Sequence, residues 1–227
     1  MSDAFAAKAA QWDANPLRAA VGQAFHAQVR LAVAEYFADG LAGRTVLDFG
    51  CGTGVQGLHL AADNPARLLF VDTSPAMLEV LRGKLADAQS PQMRECALVH
   101  EGPLEALPAP AASVDLAVSL MALHHIEDAH GALRSLRGLL KPGGLLLLGD
   151  LLPEDGSFHA SAAVDSSGDP PAEHNGFDPE TLRTDCESLG FAVLRLLPFH
   201  LLRKPDATGA VREYPLFFLA ARAARAV

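Results

Sequence analysis

Apolar residues follow two rhythms along this chain. Over the first 40 residues they recur every three or four positions, at Leu17, Val21, Phe25, Val29, Val33 and Phe37. That is the stripe of one helix face, with Pro16 at its start and Gly40 at its end. From residue 42 onward the apolar positions come in short unbroken runs. RTVLDFG (44–50) reads as a buried strand, VQGLHLAAD (55–63) as the helix behind it, and RLLFVD (67–72) as a second strand. SPAMLEVLRGKLADA (74–88) opens as a helix, with Ser74 as N-cap and Pro75 in the first helical position. ALVHEG, VDLAVSLMAL and LLLLGD continue the strands, and AHGALRSLRGLL and DPETLRTDCESLG the helices. FAVLRLL and YPLFFLAARA read as closing strands.

Apolar runs without period-two alternation mark strands covered by helices on both faces. Strands alternating with helices predict a doubly wound α/β sheet, with its ligand at the carboxyl ends of the strands. A length of 227 residues suits a single domain over 1–227: a helical cap (1–40), a core (42–152) and a loop-like insertion (151–177). The insertion is rich in Ser, Gly, Asp and Pro. It follows the fifth strand on the ligand side and reads as an active-site lid, the alternative being a plain connection.

Composition narrows the partners. The formal charge is −9 with no basic run, which argues against nonspecific binding to nucleic acid or an anionic membrane. GGLLLLGDLL is too short for a membrane span and Asp150 interrupts it. Three widely spaced cysteines, without a CxxC pair, suit buried thiols in a reducing compartment. No HExxH or Cys/His spacing suggests a metal. The expectation is a soluble cytoplasmic protein.

VLDFGCGTGVQG (46–57) carries the chemistry. Gly52 to Gly57 satisfies GxGxxG and Asp72 ends the next strand, which are dinucleotide signals. The register disagrees, because Gly50 and Cys51 come first and Asp48 stands two residues before Gly50. A carboxylate aimed at pyrophosphate would be repelled. S-adenosylmethionine, with an α-ammonium, a sulfonium and no phosphate, removes the conflict. Asp48 would attract its cationic end and Asp72 would accept from its ribose hydroxyls.

The stretches VLDFGCGTG, FVDTSPAMLEVLRGKL, VDLAVSLMALHHIED and LLKPGGLLLLGD, in this order and spacing, resemble the class I S-adenosylmethionine-dependent methyltransferases. The resemblance implies a Rossmann-like, mostly parallel sheet of seven strands with the last strand antiparallel. It implies Asp48, Gly50 and Gly52 on the methionine and ribose side, Asp72 at the ribose, Thr73 and Met77 beside adenine, and backbone of Ser119 against the methionine part. Where relatives often read Gly-Asp-Ala, this chain reads Gly102-Pro103-Leu104. Adenine is then held by backbone groups and packing around Leu104, or Glu105 substitutes for the missing acid.

Methyl transfer from a sulfonium is largely a matter of placing the nucleophile, with a base needed only when the nucleophile starts protonated. His124 and His125 follow the fourth strand. The resemblance favours His125 as the catalytic pocket residue, with packing or helix capping left to the other. Trp12 is expected to close over the sulfonium by cation–π attraction, or to serve as a packing anchor. His159 and His174 lie in the lid. The helical cap, the lid and the segment before the last strand would cover a small-molecule acceptor. Phe158, Phe177 and Phe199 would supply an apolar wall, and Arg203 and Lys204 would attract a carboxylate. Two alternatives stand beside the enzyme: a non-catalytic S-adenosylmethionine-binding protein or partner subunit, and an NAD(P)-dependent oxidoreductase.

Overall fold

A computed structural model describes residues 3, 5–160, 172–205 and 209–224. Asn15 caps the first helix, α1 (Pro16–Tyr36), its side chain accepting from the Leu17 and Arg18 amides. Val21, Phe25, Val29 and Val33 form the buried face. The helix stops at Tyr36, four residues before Gly40, which sits in the following turn with φ +65°. A short 3-10 helix (Ala9–Ala14) precedes it.

Then come β1 (Thr45–Phe49), α2 (Val55–Leu60), β2 (Arg67–Asp72), α3 (Pro75–Asp87), α4 (Pro91–Cys96) and β3 (Ala97–Glu101). Ser74 and Asp178 act as the predicted N-caps, accepting from the Met77 and Thr181 amides. Next are β4 (Val114–Leu120), α5 (Ala129–Leu139), β5 (Leu140–Leu151), α6 (Ser157–Ala160), α7 (Pro179–Ser188), β6 (Phe191–Pro205) and β7 (Val211–Ala223). The last two are longer than the apolar runs suggest. Cross-strand pairing carries the ladder out to Pro205 opposite Val211, so the segment expected as part of the acceptor cover is built as a hairpin.

The seven strands lie in the order β3-β2-β1-β4-β5-β7-β6. The first five strands run parallel; β7 is antiparallel to β5, and β6 to β7. Alternate strand residues feed two cores. Val46, Leu68, Leu116, Leu145 and Phe218 pack with Phe25 and Val29 of α1 and Leu78 and Leu81 of α3. Leu47, Leu69, Ala117, Leu146 and Phe217 pack with Leu133 and Leu136 of α5 and Leu182 of α7. The strand order reverses between β1 and β4, and a crevice opens at their carboxyl ends, where doubly wound sheets bind ligands.

Candidate active site

A cavity of about 460 Å³ fills that crevice. Its floor is the turn from β1 into α2. Gly50, Gly52 and Gly54 have φ of +63°, +51° and +78°, the left-handed region that glycine enters without strain. A Cβ on Gly50 would lie 2.3 Å from the Ala122 Cβ, so the glycine there lets the turn after β4 close against the floor. At Gly52 an added Cβ would meet only the Met77 sulfur, at 4.0 Å, so the backbone here borders open space.

Two acids frame the turn. Asp48 is buried at 3 % exposure, and its Oδ2 accepts from the Gly57 amide at 2.8 Å. Burial pushes its carboxyl up to about 7, the Gly57 amide opposing and the nearby Asp72 adding to the rise. Asp72 at the end of β2 accepts from the Gly52 amide at 2.7 Å and the Ser74 amide at 2.9 Å. Its pKa is also raised by burial, partly offset by these amides. Beside the same turn, burial holds the Cys51 thiol well above its ordinary value, so it stays protonated.

The amino-terminal segment roofs the floor. Asp13 accepts from the Thr53 hydroxyl at 2.6 Å and pairs with Lys84 at 2.5 Å. Asp3 accepts from the Ser74 hydroxyl and the Ala76 amide, each at 2.9 Å. Phe5 and Trp12 line the cavity and meet edge to face at 5.8 Å. The Arg18 guanidinium lies 3.8 Å from the centre of the Trp12 ring, so an internal cation already occupies one ring face. Met77, Thr73 and Leu104 line the far side. Glu105 does not join them. It accepts from the Ser135 hydroxyl at 2.8 Å on the outer surface, which leaves Leu104 and backbone on that wall.

Ser119 pairs with Leu148 inside the sheet and its side chain is buried, one residue before the cavity wall begins. The wall at the end of β4 is Leu120, Met121 and Ala122, where Met121 turns the chain with φ +55° and donates its amide to the Gly149 carbonyl. The candidate acceptor residues divide similarly. Phe158 lines the cavity, while Phe177 packs against the α7 side of the core and Phe199 against Phe25 and Phe218. Arg203 pairs with Glu213 at 2.8 Å on the surface, and Lys204 lies over the Phe158 ring at 3.8 Å. Neither cation faces the cavity.

His125 lines the cavity, edge to face with Phe5 at 5.5 Å. Its neighbour is more tightly held than the sequence suggests. His124 is wholly buried, with Nδ1 2.6 Å from Asp150 Oδ1. Asp150 also accepts from the Leu151 amide at 2.7 Å and the His124 amide at 3.3 Å. A carboxylate that accepts from amides fixes the imidazole proton on Nδ1, so Nε2 carries a lone pair. That atom is buried and has no hydrogen-bond partner, in a residue that lines the cavity. Asp150 stands 26 residues from His124 in sequence; the one available signal was a carboxylate directly after the apolar run LLLLG.

Of the expected lid, residues 161–171 lie outside the described residues. Its ends bind the histidine turn. The Glu173 and His174 amides both donate to the His124 carbonyl, at 2.9 and 3.1 Å, and His174 Nε2 is 3.0 Å from the Ile126 carbonyl. His159, from α6, reaches the cavity from above.

Can this cavity hold the expected cofactor? Among the described lining residues Arg18 is the one Lys or Arg side chain, and it is stacked on Trp12. One buried and one half-buried acid and a glycine floor bordered by open space suit a cationic amino-acid end and a ribose better than a pyrophosphate. The residues present fit S-adenosylmethionine.

Comparison with known proteins agrees with the geometry. A family model described as a methyltransferase domain matches residues 47–148. The 27-O-demethylrifamycin SV methyltransferase of Amycolatopsis mediterranei is 34% identical over 125 residues, covering 53% of this chain and 44% of that one. The tRNA U34 carboxymethyltransferase of Shewanella denitrificans is 38% identical over 130 residues, covering 51% and 37%. The chain spans about half or less of the length of the curated relatives it matches. A SAM-dependent methyltransferase from Aquifex aeolicus has the same fold, with TM-score 0.65 at 18% identity over 98% of this chain and 100% of that one. No helix among the described residues is long and apolar enough to cross a membrane.

Proposed function

We propose that this chain, which carries a class I S-adenosylmethionine-dependent methyltransferase domain, moves a methyl group from that donor to a small-molecule acceptor. The carrying observation is the roofed, glycine-floored cavity with the buried Asp48 and half-buried Asp72 carboxyls, both raised in pKa, at the switch point of the sheet. S-adenosylmethionine supplies an electrophilic methyl on a good leaving group. The chain's own residues bind, orient and exclude water.

In this reading Asp48, Gly50 and Gly52 face the methionine and ribose end, and Asp72 accepts from the ribose hydroxyls. Thr73, Met77 and Leu104 flank the adenine. Trp12 covers the donor from the amino-terminal side. The acceptor occupies the end nearest Phe158, Leu202 and the histidine turn. His125 touches it and receives its proton when the nucleophile arrives protonated. Support for a small acceptor comes from the roof over the cavity and the net charge of −9. An extended polyanion would meet the same sign of charge.

Incubation with methyl-labelled donor tests this, using a panel of small hydroxyl, amine and thiol acceptors beside tRNA and protein. We expect label in a small molecule, and turnover reduced by about 10²–10⁴ in His125→Ala at unchanged S-adenosylhomocysteine affinity if His125 takes the proton. Label in RNA or protein alone would overturn the acceptor class. Tight donor binding without turnover on any acceptor would favour a binding protein.

A further inference from the structure

We propose that His124, His125 and His159 form a binding site for a divalent transition-metal ion such as Zn²⁺, with Asp150 as its outer support. The imidazoles come from the turn after β4 and from α6, and one ring nitrogen of each lies within 4.8 Å of the others. The three rings are mutually adjacent, with centroids 4.1 Å apart for His124 and His125 and 5.1 Å for each pair with His159.

His124 carries the inference. Asp150 engages its Nδ1 and so leaves the buried Nε2 with a lone pair and no hydrogen-bond partner, beside the two neighbouring imidazoles. Leaving a buried acceptor unsatisfied costs about 1–3 kcal/mol, and a cation at this point would satisfy it. A carboxylate that orients a histidine through its distal nitrogen is also how metal-ligating imidazoles are held. Zn–N bonds of about 2.0–2.1 Å at tetrahedral angles need ligand nitrogens roughly 3.3 Å apart. The cluster therefore closes by about 1–1.5 Å on loading, a small movement for the four-residue α6.

Three neutral nitrogen ligands leave a fourth position, which faces the cavity. A water molecule or an oxygen or sulfur donor of the acceptor would fill it. Metal binding stands on these side chains alone. Its place beside the methyl acceptor rests on the methyltransferase reading above, with the proton-accepting role of His125 confined to the metal-free chain, because a ligating imidazole has no lone pair left for a proton.

Untagged full-length protein, stripped with chelator, should be titrated with Co²⁺ and followed by visible d–d absorption, and with Zn²⁺ by calorimetry. We expect one ion per chain with the intense absorption of a four-coordinate site. His125→Gln and His159→Gln should each weaken binding at least tenfold, and the double variant should abolish it. Asp150→Asn, acting only through His124, should cost about 10–100-fold. His26→Gln, which opens the other histidine pair (centroids 4.8 Å apart), should change nothing. S-adenosylhomocysteine binding on the same preparations confirms that each variant is folded and reads the cofactor assignment separately. Absence of the absorption band, equal affinity in wild type and the double variant, or loss of binding in His26→Gln would overturn the site.

Discussion

Asp48 is a carboxyl that the fold keeps close to neutral pH, and this has a measurable consequence. The native group titrates near 7 against an ordinary carboxyl value of 3.8, so between those values the folded chain holds a proton the unfolded chain has lost. Its favourable contribution is full below about 3.8 and disappears as pH rises toward about 7. A ligand ammonium beside it favours the carboxylate and should expel that proton. Binding of S-adenosylhomocysteine, whose amino-acid end carries the ammonium, should release a proton fraction approaching one at about pH 6. The release appears as calorimetric enthalpies that change with the ionisation heat of the buffer, and it should vanish in Asp48→Asn. Buffer-independent enthalpies in the wild type would contradict it. Asp48 was legible in the sequence because an acid before a glycine turn is a local pattern. The point at which β4 leaves the sheet, after Leu120, was not legible, because it depends on the pairing of β4 with β5 and not on a local pattern. The His124–Asp150 pair was hidden because only the parallel pairing of β4 with β5 brings the two together.

Between residue and sheet stands the strap over 172–177, which ties the end of β5 to the histidine turn. Gly176 has φ +83°, and a Cβ there would sit 2.2 Å from the Leu152 carbonyl oxygen. Gly83, within α3, has no atom within 4 Å of its added Cβ and an ordinary φ. Gly83→Ala should therefore stabilise the protein by about 0.5–1 kcal/mol. Gly176→Ala should destabilise it by about 2 kcal/mol or more, through left-handed strain and backbone collision together. Urea unfolding of both variants measures the contrast, and a neutral or stabilising Gly176→Ala would show that the strap is loosely held. Helix caps at Ser74 and Asp178 were readable because their determinants lie within three residues. The extra length of β6 and β7 was not. Those residues are strand by virtue of their hairpin partners, and HLLRKP opposite VREYPL has no continuous apolar run to reveal it.

For the molecule as a whole, the alternation of apolar runs and helical stripes was enough to anticipate a doubly wound sheet, because both faces are covered and the central strands carry short unbroken apolar runs. The position of the ligand follows from the strand order. Its chemistry follows from charge at that point: Asp48 and Asp72 oppose a pyrophosphate and favour a cationic amino acid joined to a ribose. Calorimetric titration of the wild type and Asp72→Ala with S-adenosylhomocysteine and with NAD tests this central claim most directly. We predict binding of S-adenosylhomocysteine in preference to NAD, weakened roughly ten- to a hundredfold by Asp72→Ala, as the loss of a charge-assisted hydrogen bond of about 1.5–3 kcal/mol requires. Tighter binding of NAD, or equal S-adenosylhomocysteine affinity in the wild type and Asp72→Ala, would contradict it.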